Sequence, residues 1–192
     1  ESESARMRFA AARLAAGLAL MALVTTACSR HKQEAIILAN QGDQVVELDP
    51  NAAIQKYEQA TQLDPTSHQI FYKLAKAYKK KDEWDKAATT LARATDIAPS
   101  YANYWFERGW ALEKRAEKQP PESRVNAYEE CKQPYQKCVE ADPNKDDCYA
   151  RLAIAHLFSD DEQKALANFT KAIEFRPDDI SYYPRLADLY IR

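Results

Sequence analysis

The residues able to do chemistry in this 192-residue chain are few, and its four cysteines come first. Cys131, Cys138 and Cys148 cluster in the sequence, and Cys28 stands apart. Cys131 and Cys138 are seven residues apart on one expected helix, about 10.5 Å along its axis. That is too far for a disulfide without a break in the helix. Cys138 falls near the end of that helix and Cys148 in the first turn of the next, so helix packing can bring the two together. Cys138–Cys148 is the expected bridge, with Cys131 a buried thiol in a packing position. The alternative is three reduced thiols that replace small packing residues, because connectivity does not follow from sequence. No CxxC pair occurs and His156 falls at a core position, so no zinc site is expected. The histidines, His31, His68 and His156, are scattered, and no Ser/His/Asp set or paired-carboxylate cleft can be read from the spacing. Gly17, Gly42 and Gly109 are the only glycines, too dispersed to cradle a phosphate. A net charge of −2 lacks the basic excess of a nucleic-acid binder. The expectation is a protein without catalysis, cofactor or nucleic acid.

Cys28 has a different context. Glu1 to Arg6 precede Met7 and are set aside as a misassigned start or a fusion scar. From Met7 the chain reads as an export leader: Arg8 and Arg13, then an apolar stretch from Leu14 to Val24. That stretch is too short to span a bilayer, which needs about 20 apolar residues. Small residues lead to Val24-Thr25-Thr26-Ala27-Cys28, which resembles the lipobox of bacterial lipoproteins. Ala27 fits the small residue before the cysteine, and Thr25 departs from the usual leucine. The resemblance implies cleavage before Cys28 and acylation of its thiol, a palmitate-type anchor. Ser29, where an inner-membrane lipoprotein of the enterobacterial type would carry aspartate, implies sorting to the outer membrane, facing the periplasm. An exported chain can also form disulfides. Five residues, Ser29 to Gln33, would form a tether reaching about 17 Å when extended. Arg30, His31 and Lys32 make it basic, suited to anionic headgroups.

The rest of the chain repeats itself. Ala53, Tyr57, Ala60 and Pro65 recur as Ala87, Leu91, Ala94 and Pro99, as Cys131, Tyr135, Cys138 and Pro143, and as Ala165, Phe169, Ala172 and Pro177. First halves agree too: Phe71, Leu74, Ala75 and Tyr78 match Tyr149, Leu152, Ala153 and His156, and in part Trp105, Gly109 and Leu112. Apolar residues at i, i+3, i+4 and i+7 line one helix face, and the proline stops each second helix. The pattern resembles the tetratricopeptide (TPR) repeat. It implies an all-α, right-handed superhelix of about four and a half antiparallel helix pairs, whose units bury their faces by stacking.

The expected organisation is a signal peptide over 1–27, a lipidated tether over 28–33, a degenerate first unit over 34–67, and further units over 68–101, 102–145 and 146–179. Residues 180–192 form the first helix of a fifth, truncated unit. In unit one, Asn40, Gln41 and Gln44 stand where Leu, Gly/Ala and Tyr belong. Unit three carries ten extra residues, placed in a turn around Gln119 to Ser123, and Pro134 is expected to kink its second helix or delay its start.

In the TPR family, first helices line a concave groove that takes protein partners. Carried over position by position, the groove comprises Tyr72, Lys76, Lys79, Phe106, Trp110, Ile154 and Phe158. Their aromatic and apolar character reads as an exposed stripe suited to a partner. A lipid anchor followed closely by TPRs is similar to the pilotin lipoproteins of type IV pili, which implies a scaffold promoting secretin localisation and oligomerisation at the outer membrane. The alternatives are a TPR subunit of another envelope machine, such as β-barrel assembly, or a thiol-dependent accessory using Cys131.

Overall fold

The computed structural model describes residues 29–191; the leader and Cys28 lie outside the described residues. Among them are nine helices and no strand. In order they are α1 (29–45), α2 (Pro50–Leu63), α3 (His68–Lys80), α4 (Trp84–Ile97), α5 (Ala102–Glu117), α6 (Pro121–Ala141), α7 (Asp146–Leu157), α8 (Glu162–Phe175) and α9 (Tyr183–Ile191). Each packs chiefly on its neighbours in the chain, in antiparallel pairs α1/α2, α3/α4, α5/α6 and α7/α8.

Local chemistry sets the helix ends. Asp49 caps α2 by accepting from the backbone N–H of Asn51 and Ala52, each at 3.0 Å, and Pro50 fits the first turn, where its missing N–H costs nothing. Asp161 caps α8 through the Lys164 N–H. Pro65, Pro99, Pro143 and Pro177 each sit two residues past the end of a second helix, where the ring forbids another turn. Asp82 and Asp160 occupy the turn between first and second helices of their pairs and adopt left-handed backbone, with φ of 57° and 54°. Aspartate tolerates that region better than most side chains.

The core lies between the helices of each pair and between successive pairs. Ala53, Ala60, Ala87, Ala94, Ala165 and Ala172 are fully buried, and in the third pair Cys131 and Cys138 fill the same small-residue slots. A second device links one unit to the next. Trp105 Nε1 donates to the Pro99 carbonyl at 2.8 Å, Tyr149 Oη to Pro143 at 3.1 Å and Tyr183 Oη to Pro177 at 2.7 Å. The aromatic at the fourth position of a unit thus satisfies a carbonyl left free by the proline turn behind it.

Four expectations are corrected. Residues 29–33 are not an extended tether; they are the opening of α1. Gln41 does not fill the glycine slot of unit one. Gly42 does: a Cβ there would lie 2.6 Å from the Tyr57 ring, as one at Gly109 would from Tyr135. The first pair therefore runs one residue out of the family register. The extra residues of unit three do not form a turn. They lengthen both helices: α5 has 16 residues against 13 in α3, and α6 has 21 against 14 in α4. Pro134 does not delay α6, which begins at Pro121 and carries the buried proline inside it.

Candidate functional site

The first helices α3, α5 and α7 carry the residues expected to form a groove, and those of α3 and α5 meet. Tyr72 packs against Tyr104 of α5, ring centroids 4.9 Å apart, with Lys76 over its other side. Lys79 forms an ion pair with Glu107 and lies 3.9 Å over the Trp110 ring. Trp110 meets Trp84 edge-on at 5.6 Å. Phe106 approaches Tyr135, and Lys145 stands over it. The result corrects the expectation of an exposed stripe. Tyr72, Phe106, Trp110 and Ile154 are half-buried, Tyr72 against the next first helix, and Trp110 and Phe106 against Trp84 of α4 and Tyr135 of α6. Burial, then Glu107, raises the Tyr72 pKa; burial lowers that of Lys79 against the pull of Glu107.

Ile154 lines a cavity of about 260 Å³ between α7 and α9, with Asp147, Arg151, Phe169, Tyr182 and Arg185. Phe158 stacks on Tyr128 of α6 at 3.7 Å and is 41 % exposed.

Sequence reasoning missed the polar supports of this face. Glu113 is 4 % exposed; it accepts from Tyr135 Oη at 2.7 Å and pairs with Arg151 of the next unit at 2.8 Å. Asp146 is likewise buried, accepting from Tyr182 Oη at 2.7 Å and pairing with Arg176 at 2.8 Å. Tyr57 donates to Asp43, and Tyr78 to Glu58. A tyrosine near the core facing an acid on another helix recurs four times. Tyr57 and Tyr135 share one repeat position, but their acids Asp43 and Glu113 do not, so the tyrosine alone does not name its partner.

The cysteines resolve as a Cys138–Cys148 disulfide, with Cα atoms 5.9 Å apart, joining α6 to α7. Cys131 is a free, buried thiol. Burial first, then the Glu113 carboxylate, pushes its pKa up to about 12. A thiol held protonated is a poor nucleophile, which counts against the thiol-dependent alternative.

Antiparallel helix pairs, each buried only against its neighbours, define a helical-repeat protein. Residues 47–105 match one tetratricopeptide-repeat family model and residues 146–179 another. The chain carries tetratricopeptide repeats over these residues. Its fold is similar to a crystal structure of MamA, with 19% identity, a TM-score of 0.72 and coverage of 83% of this chain and 82% of that one. MamA from Desulfovibrio magneticus RS-1 is similar at 17% identity and a TM-score of 0.70, covering 83% and 85%. The TPR domain of Arabidopsis OM64 matches at 18% identity and a TM-score of 0.56, covering 65% of this chain and 94% of that one. TPR arrays are scaffolds for protein–protein interaction, and the face formed by α3, α5, α7 and α9 is the candidate surface here.

Proposed function

We propose that this chain is a lipid-anchored scaffold of the outer membrane, facing the periplasm, that receives a protein partner on its first-helix face. The partner class favoured is a type IV pilus secretin subunit, which makes the protein a pilotin. The observation that carries the reading is a leader ending in Val24-Thr25-Thr26-Ala27-Cys28, with helical repeats beginning at the next residue. The Cys138–Cys148 bridge agrees with an exported chain, since disulfides persist in oxidising compartments.

Two experiments test it. Radiolabelled palmitate should enter the wild-type protein and not Cys28→Ala; equal labelling of both excludes the anchor. A photo-crosslinking amino acid in place of Trp110 should capture a secretin subunit in intact cells. Capture of a β-barrel assembly component in fixed stoichiometry instead would replace the pilotin role with that of a permanent subunit of that machine.

A further inference from the structure

α1 is the first described helix, and its outward side mixes polar residues with large apolar ones. Ile36 and Ile37 of α1 are each 56 % exposed, and Leu48 in the following turn is 91 % exposed. Helical spacing places Gln33, Ile36, Ile37, Asn40 and Gln44 on the side opposite the buried Ala35, Ala39 and Gly42. None of these five outward residues is acidic. Asp43, beside them, is already engaged by Lys73 and Tyr57. The first turns add Arg30, Lys32 and Glu34, all exposed and on the flanks of that face, two basic residues against one acidic.

Chain continuity says what meets this face. Residue 29, the one after the cysteine that carries the anchor in the reading above, on which this inference rests, is already helical. Ile36 and Ile37 follow it by seven and eight residues, about 10–12 Å along the helix axis. They reach the same interfacial depth as the acyl attachment only if α1 lies along the membrane surface.

We infer that the outward face of α1 rests on the bilayer, with Ile36 and Ile37 in the interface and Arg30 and Lys32 against anionic headgroups. An amphipathic contact of this kind supplies a second membrane signal beside an acyl chain, and basic residues add attraction to anionic lipid. It also orients the array: unit one lies on the membrane, and the later units stack away from it.

The test uses the full lipidated protein in vesicles of phosphatidylethanolamine and phosphatidylglycerol. Ile37→Cys and, as a distant control on α8, Gln163→Cys are labelled with an environment-sensitive fluorophore. Cys131 is buried and the other pair is bridged, so only the introduced thiol reacts. Vesicle flotation first reports the anchor. Brominated lipid should then quench the label at position 37 at least several-fold more than that at position 163, and soluble iodide should do the reverse. A floating protein whose label at 37 stays open to iodide overturns the inference and leaves the anchor standing. Protein that does not float overturns both. A label at 37 that is shielded without vesicles, in proportion to protein concentration, assigns the face to a second copy and also overturns it.

Discussion

At the scale of single residues, this scaffold depends on a few buried charges held by neighbours on other helices. Glu113 is the clearest. Arg151→Ala leaves its carboxylate buried with only the Tyr135 hydroxyl, and the expected cost is about 2–3 kcal/mol, reduced because Arg151 is partly exposed. Tyr135→Phe removes one hydrogen bond and is expected to cost about 1 kcal/mol. Urea denaturation of both variants checks the order. His156 gives a pH dependence. Burial first, then Lys132, lowers its pKa, and Nδ1 has no hydrogen-bond partner. The unfolded chain therefore takes up the proton more readily than the folded one. The contribution of neutral His156 is fully present above its ordinary value of about 6.5 and is lost as the pH falls through the lower folded value. Thermal melts down through that range should show His156→Phe losing less stability on acidification than the wild type. Spacing excluded Cys131–Cys138 and made Cys138–Cys148 the expected bridge, and the structure decided between that bridge and three free thiols. The tyrosine–acid pairs were not legible, because each depends on how far one helix has rotated against another.

At the scale of elements, close approach and turn chemistry decide the outcome. Gly109 faces the Tyr135 ring, and Gly109→Ala would place a methyl 2.6 Å from it. The backbone or the ring must shift, with an expected loss of about 1–3 kcal/mol, read from the melting temperature. Asp82 and Asp160 hold the same left-handed turn in two units. Replacing Asp82 with glycine should leave stability within about 0.5 kcal/mol or raise it slightly, because glycine adopts this backbone freely. Valine there should cost about 1–2 kcal/mol; calorimetry of the pair separates the two. Strict spacing made the helix pairs legible from Ala53 to Pro177. Two places escaped it. In unit one, the glycine slot had moved by one residue, so Gln41 was read at the glycine position that Gly42 fills. In unit three, Gln119-Pro120-Pro121 signalled a turn, and a turn is present. Proline at a helix start is nonetheless compatible with growth on either side, and the added residues went into helix.

At the scale of the whole molecule, coupling between units is local, apart from one covalent link. In a linear array each unit contacts only its neighbours, so stability spreads through interfaces. The Cys138–Cys148 bridge fixes the joint between the third and fourth pairs. Reduction is expected to lower stability by about 2–3 kcal/mol, measured by denaturation with and without a thiol reductant and compared with Cys138→Ala/Cys148→Ala. Loss of the same size in both assigns the effect to the bridge. No helix among the described residues is long and apolar enough to cross a membrane; the attachment proposed above is through the lipid and unit one.

That attachment places the bridge in a load path. A chain held at one end by a membrane and pulled at the other by a partner is stretched along its contour. The segment from Cys138 to Cys148 cannot then extend, whatever the force, while the bond is intact. Optical-tweezer unfolding should release about 30 Å more contour length after reduction than before, the extended segment less the 5.9 Å that the bridge already spans. The difference should arise at the joint where α6 meets α7.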